Sequence, residues 1–286
     1  MIVDCHAHFE PRMLDLDGLV ARLDAAGVDR VALIPTMNDP LPETPERLLA
    51  VLRRVMNSPA RPLARLIHRA TLTRGGDLRL GGEVYRIYRQ PDNGPVAEVL
   101  KAHPDRFWGW IFLNPAADPD VLETLERWRE VPGFIGVKLH PHWHDYSVDV
   151  LGPVLRRCEE LGLPVLIHLG FRGDFVAMAQ AHPKLPILSA HAGFPFYRAL
   201  WRYKADCPNL YVDLSSPYID EELARQAVAA MGPERCLYGT DAPYGFHDED
   251  GGYDYGEIRR WVERLPVSSS AMEGIFGGTF VGLVGA

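Results

Sequence analysis

The sequence predicts an α/β protein, a (β/α)8 barrel of the TIM type. Apolar runs and amphipathic stretches alternate eight times along the chain. The run interiors are continuously apolar, as parallel strands buried on both faces require. The length, 286 residues, suits one barrel. A doubly wound sheet is the alternative, and eight units fit it less well.

The elements follow in order. Met1 to Val3 opens a buried strand that delivers His6 and His8 at its end, and residues two apart on a strand point the same way. Leu16 to Ala26 carries apolar residues at helical spacing and stops at Gly27, a residue suited to a left-handed helix end. Val28 to Ile34 is the second strand, closed by Pro35. Arg106 to Asn114 is the third, followed by a helix over Asp118 to Glu130. Phe134 to His140, Pro164 to Gly170, Pro186 to Gly193, Leu210 to Ser216 and Cys236 to Pro243 are strands four to eight. Helices are expected at Asp149–Leu161, Asp174–His182, Tyr197–Cys207, Asp220–Met231, Tyr255–Leu265 and Ser270–Leu283.

One segment breaks this rhythm, and the expected organisation is a single barrel domain over 1–286 with an insertion at about 36–95 between strands two and three. Residues 41–90 hold ten arginines and no lysine against four acids. Two readings stand: a solvated helical insertion, or a lid whose guanidinium groups hold an anionic substrate.

Composition narrows the function classes. A net charge of −8 and a pI near 5.8 argue against nucleic acid or an anionic membrane as partner. Four scattered cysteines without CxxC spacing read as buried thiols. With no leader or membrane-length apolar run read in the chain, a cytoplasmic location is expected.

The titratable residues mark the chemistry. His6 and His8, Lys138 and His140, His168, His191, and Asp241 each stand at the carboxyl end of an expected strand, where barrels of this type keep their active sites. A lone histidine there is ordinarily a core residue. Five strand ends agreeing point to an assembled divalent-metal site.

The motifs DCHAH (Asp4–His8), GVKLHP (Gly136–Pro141), LIHLG (Leu166–Gly170), SAHAG (Ser189–Gly193), PNLYVDLSS (Pro208–Ser216) and LYGTDAP (Leu237–Pro243) occur in this order across nearly the whole chain. In combination they resemble the amidohydrolase superfamily, in its amidohydrolase-related (amidohydrolase 2) branch of metal-dependent hydrolases and aminocarboxymuconate-semialdehyde-type decarboxylases. The resemblance implies metal ligands at His6, His8, His168 and Asp241, with Lys138 and His191 joining them if the site is binuclear. It also implies catalytic roles for Asp241 as base and His191 as acid or base, and zinc as the first-choice ion, with manganese or another divalent ion as alternatives. Asp213 matches the aspartate of the VDLS motif, as a catalytic group or as a structural acceptor. The chain departs from the family in its closing helix, where a GGNAxRL pattern is replaced by Gly277-Gly278-Thr279-Phe280-Val281-Gly282-Leu283. The run His140, His142, His144 adds an unusual histidine cluster, expected on a half-exposed loop.

The expected function is metal-dependent hydrolysis, with activated water attacking a small, carboxylate-bearing amide, ester or lactone. The alternative is metal-dependent non-oxidative decarboxylation of an aromatic or unsaturated carboxylic acid. A small-molecule substrate is the expected partner, and the resemblance adds a homodimer.

Overall fold

The computed structural model describes residues 1–249 and 252–285. The chain runs β1 (Val3–Phe9), α1 (Leu16–Ala26), β2 (Arg30–Pro35), α2 (Glu46–Met56), α3 (Arg61–Thr71), a hairpin of β3 (Leu78–Leu80) and β4 (Glu83–Tyr85), and α4 (Gly94–Ala102). It continues through β5 (Phe107–Leu113), α5 (Val121–Arg129), β6 (Phe134–Leu139), a one-turn α6 (Pro141–His144), α7 (Gly152–Leu161), β7 (Val165–Ile167), α8 (Phe175–Ala181) and β8 (Ile187–Ser189). The last part holds α9 (Arg198–Trp201), β9 (Leu210–Asp213), α10 (Glu221–Met231), β10 (Cys236–Leu237), α11 (Gly256–Glu263), α12 (Ser269–Glu273) and α13 (Thr279–Val284).

Eight strands pair in the order β1-β2-β5-β6-β7-β8-β9-β10, all parallel. Backbone bonds from Cys5 N–H to the Tyr238 carbonyl (3.0 Å) and from Asp241 N–H to the His6 carbonyl (2.7 Å) bring the last strand back to the first. This is the (β/α)8 barrel the sequence predicts. Helix α1 is bounded as its sequence implies: the Asp15 side chain accepts from Gly18 N–H, and Gly27 closes the helix at φ 62°.

The pleat of β1 is not a simple alternation. Its pairing with β2 shifts register between Asp4 and Ala7, the mark of a β-bulge. Before the bulge, Val3 and Cys5 join the apolar cluster inside the barrel; after it, Ala7 and Phe9 turn outward to the helices. His6 and His8 therefore both face inward. The indole N–H of Trp110 donates to the carbonyl of Cys5 (3.0 Å) and so satisfies the bulged backbone.

The barrel interior is layered. Trp110, Phe112, Leu166, Leu188 and Leu237 fill its lower part, and Phe280 of α13 packs beneath, its ring 5.9 Å from that of Trp110. The expected closing helix over Ser270–Leu283 is interrupted at Gly274–Gly278. A Cβ on Gly277 would lie 3.0 Å from Val3 Cγ2 and 3.1 Å from the Met1 carbonyl, so the glycine lets the chain pass close under β1. The strands are also shorter than the apolar runs. The run Pro186–Gly193 pairs only over Ile187–Ser189, because His191 and Ala192 turn to φ 55° and 53° and leave the sheet. Of the expected helix Tyr197–Cys207, only Arg198–Trp201 is helical.

The segment between β2 and β5 contributes α2, α3 and the hairpin across the carboxyl end, and then α4 as an ordinary crossover helix. The guanidinium of Arg53 is buried under α2. It donates to the carbonyl of Pro217 (2.8 Å) and pairs with Glu46 and with Asp220 (3.1 Å). His68 of α3 donates from Nε2 to the carbonyl of His142 (3.1 Å). Among the described residues no helix is long and apolar enough to cross a membrane.

Phe280→Ala should open a cavity under the barrel floor and destabilise the protein by about 3 kcal/mol or more. Denaturant unfolding measures this, and a change below about 1 kcal/mol would show that Phe280 does not seal the floor.

Candidate metal centre and catalytic site

Above the apolar layer the barrel interior becomes polar, and the change falls at the strand ends. His6 and His8 come from β1, Lys138 from β6, His168 from the end of β7, His191 from the turn after β8 and Asp241 from the turn after β10; all line one cavity of about 300 Å³. His6, His191 and Asp241 each bring a ligand atom within 4.8 Å of the others. His8 and His168 stand beside this trio. His8 Nε2 is 3.3 Å from Asp241 Oδ1, and the ring of His168 meets that of His191 edge-on at 4.8 Å.

Asp213, at the end of β9, sets the directions of two imidazoles. Its Oδ2 accepts from His6 Nδ1 (2.9 Å), and its Oδ1 accepts from the backbone N–H of His191 (2.9 Å). The hydroxyl of Ser215 donates its one hydrogen to Asp213 Oδ1 and so accepts from His191 Nδ1 (2.8 Å). Both rings therefore carry their hydrogen on Nδ1 and turn an Nε2 lone pair toward Asp241, at 3.5 Å from His6 and 3.9 Å from His191. Asp213 is a hydrogen-bond acceptor here, and it fixes the tautomer of His6 directly and that of His191 through Ser215.

The charge states follow from burial and neighbours. Burial pushes the His191 imidazole down to about 4, and it lowers His6, His8 and, well below the ordinary range, His168. Burial opposes the charge on Asp241 as well, but the facing His191, His8 and His6 outweigh it and hold the carboxyl below the usual range. The site is four neutral imidazoles around one carboxylate. Lys138, fully buried, donates to His6 Nε2 (3.4 Å); burial brings it down to about 8 against the pull of Asp213 and Asp241.

This donor set fits a divalent cation: neutral nitrogens with lone pairs already aimed, and an ionised oxygen between them. The buried Nδ1 atoms of His8 and His168 have no hydrogen-bond partner among the described residues, as ring nitrogens awaiting a ligand or ordered water do. The backbone at the site is strained, with His191 at φ 55° and Asp241 at φ 64°, a cost usually kept where function needs a fixed geometry.

One expectation changes. The His140, His142, His144 run is not a half-exposed loop. His140 caps the single turn of α6 by accepting from Trp143 N–H (3.1 Å) and stacks on His168 at 4.4 Å, and His142 packs against His168 at 4.7 Å. Of the two readings of the insertion, the arginine lid is the one that does not hold. The insertion does wall the cavity, through Met37, Asn38, Leu41, Glu43 and Leu49, but no arginine is among the lining residues. Arg53 is bound to the 217–220 loop, and Arg61 lies over the ring of Phe196 (5.4 Å). Ser215 carries a site role that the sequence did not single out, and the VDLSS motif was the available signal for it.

A family model described as amidohydrolase matches residues 3–279. No curated protein matches the chain. Among solved structures, the chain is similar to a protein described as a 2-pyrone-4,6-dicarboxylic acid hydrolase from Pseudomonas putida, with 20% identity, a TM-score of 0.62, and 99% of this chain and 97% of that one covered. It is similar to 5-carboxyvanillate decarboxylase from Sphingomonas paucimobilis, with 16% identity, a TM-score of 0.60, and 99% and 98% covered. It is also similar to a dihydroxybenzoic acid decarboxylase from Polaromonas sp. JS666 with bound manganese and 2-nitroresorcinol, with 16% identity, a TM-score of 0.60, and 99% and 96% covered. At these identities the likeness is one of fold. The His6, His191 and Asp241 cluster supports a divalent metal here.

The depressed imidazoles predict acid lability. His140, His142, His144, His168 and His191 are all neutral in the folded state well below pH 6.5. The unfolded chain binds their protons first, so the stability they contribute is complete above about pH 6.5 and is lost as pH falls toward about 4. Asp4, pushed up to about 7 by burial, acts in the opposite sense, losing stability as pH rises from about 4 to 7, and one carboxyl is outweighed by five imidazoles. The metal-free protein should lose at least about 5 °C of Tm per pH unit between 6.5 and 5. A flat profile would mean that the imidazoles are not held neutral.

Proposed function

The chain belongs to the amidohydrolase family, and from that premise we propose that it is a metal-dependent hydrolase adding water across the acyl C–N or C–O bond of a small amide, ester or lactone. The observation that carries this reading is the ionised Asp241, set 3.3 to 3.9 Å from His8, His6 and His191 at the carboxyl end of the barrel. Hydrolysis needs a base in place for water, and this carboxylate is one.

His6, His8, His168 and Asp241 would hold the ion, with Lys138 and His191 reaching a second one in a binuclear form. Bound there, a divalent ion supplies Lewis-acid polarisation of the acyl oxygen and lowers the pKa of water. Zinc is the first candidate on this donor set of neutral imidazoles and a carboxylate, and manganese the alternative.

The chain's own groups divide the proton work. Asp241 takes the proton of the attacking water. His191, its Nδ1–H held by Ser215, presents the lone pair of Nε2 to the cavity, takes up that proton from Asp241 at 3.9 Å and passes it to the departing nitrogen or oxygen. Asp213 keeps His6, and through Ser215 also His191, in the tautomer these roles need. Tyr244 meets His8 edge-on at 5.3 Å and limits how that ring can turn. Decarboxylation is the second reading. It asks for a proton donor to carbon, which His191 can be once it has taken up a proton, and Asp241 would then serve the ion without acting as a base toward water.

Elemental analysis of protein purified without chelator should find about one divalent ion per chain, and His168→Ala and Asp241→Ala should lose it while staying folded. His191→Ala should keep the ion and lose turnover of an amide, ester and lactone panel by a factor of about 10² to 10⁴. Full metal retention in both ligand variants would remove the site assignment. Carbon dioxide release from a carboxylic acid panel, with no hydrolysis, would replace the first reading by the second.

A further inference from the structure

We propose that the substrate carries an uncharged, largely apolar body and at most one carboxylate, placed at the deep end of the cavity, and that Glu43 and the apolar walls reject a second anionic group at the mouth. This rests on the hydrolase reading for the position of the reacting centre and adds the class of molecule that reaches it.

The cavity is electrically lopsided. Its floor holds the one lysine among its lining residues, Lys138, together with His6, His191 and Asp241. Lys138 is buried and held toward His6 at 3.4 Å. A cation fixed there, with the divalent ion the donor set fits, can balance the two buried carboxylates Asp213 and Asp241 and one further negative charge beside the scissile bond. Above the floor the walls change character. Met37, Leu41, Leu49, Trp143, Tyr218 and Tyr244 face the space. The charged residue the insertion adds at the rim is Glu43, an anion, exposed and 3.5 Å from His247 across the opening.

A second carboxylate at the far end of a substrate would lie against these walls. It would leave water for the neutral donors of Asn38, Thr44, Ser216, Tyr218 and Tyr244 alone, with no lysine or arginine to balance it, which is costly for a full charge. It would also approach Glu43. The guanidinium groups that could have received it are committed elsewhere. Arg53 is spent on Pro217, Glu46 and Asp220. Arg12 makes a two-point pair with Glu10, through Nε (2.7 Å) and Nη2 (2.6 Å), and its other amine reaches Tyr88 (3.0 Å). Neither lines the cavity.

Size agrees with the charge argument. About 300 Å³ lies at the small end of ligand pockets, room for about one ring with a short side chain. Aromatic walls suit a flat body of that size.

The test uses three ligands of matched shape: 4-ethylphenylacetamide, 4-ethylphenylacetate and 4-carboxyphenylacetate. Their dissociation constants are measured by calorimetry at pH 7, on metal-loaded and metal-free protein. The two ethyl compounds should bind at least about tenfold more tightly than the dicarboxylate, a difference of about 1.4 kcal/mol. Glu43→Arg lies at an exposed position and should fold normally. It should raise the affinity for the dicarboxylate several-fold and leave the ethyl compounds within about twofold. A dicarboxylate that binds the natural protein as tightly as the ethyl compounds overturns the inference. So does failure of every ligand to bind, or no gain in Glu43→Arg. Binding needs no turnover, so the hydrolase reading fails separately, if the affinity order holds while no amide, ester or lactone is hydrolysed.

Discussion

The buried carboxylate of Asp213 is the constraint on which the rest of the site depends. It has no exposure to solvent, yet it stays ionised because it accepts from the ring of His6, the backbone of His191, and both the backbone and the hydroxyl of Ser215. Burial opposes its charge, and the facing imidazoles and these donors bring its pKa below the ordinary range. A desolvated anion is tolerable only when its lone pairs are filled in this way. Once filled, it is rigid. Its rigidity reaches Asp241 through two imidazoles whose free nitrogens can point nowhere else.

Asp241 itself is held by the seam that closes the barrel. Its backbone N–H donates to the His6 carbonyl, and the preceding Thr240 is tied through its N–H (3.1 Å) and hydroxyl to the buried Asp4 of β1. The left-handed backbone of Asp241 would relax if that seam were loose. Gly239 completes the fit: a Cβ there would stand 3.1 Å from His6 Cβ and 3.3 Å from Ser215 Cβ. The first and last strands thus do two tasks with one set of bonds, closing the sheet and setting a carboxylate against imidazoles.

The positions of these groups were legible because barrel strands announce themselves. A run such as Pro164–Leu166 of apolar residues, followed by His168 and Gly170, tells where the sheet ends and which residue stands at its end. The bulge in β1 was not legible. Alternation alone puts Asp4, His6 and His8 on one face, whereas a register shift between Asp4 and Ala7 separates Asp4 from the two histidines, and no local composition marks such a shift. The arginine-rich segment left two readings open for a different reason. Its charge is visible in sequence, but the direction of a long side chain is decided by acids and carbonyls distant in the chain, such as Asp220 and Pro217 for Arg53. The burial of His140 and His142 escaped notice for a related reason. Their packing against His168 and His68 joins elements that the sequence keeps apart.

The division of the barrel interior into an apolar lower layer and a polar upper one ties fold to chemistry. Trp110, Phe112, Leu166 and Phe280 keep water from the underside of Lys138 and the imidazoles. In that dry setting desolvation drives histidine toward its neutral form, the form with a lone pair to give. The same dryness would neutralise Asp241 too, were it not faced by His191, His8 and His6, which favour its anion. Opposite protonation demands on neighbouring groups are met because one dry floor acts on all of them and the local partners act on each. A wetter floor would leave ordinary histidines at a strand end; a drier site without Asp213 would leave imidazoles free to turn. Both features are needed before a base and a set of neutral donors can coexist within 4 Å, and both are built from residues that do not face the substrate.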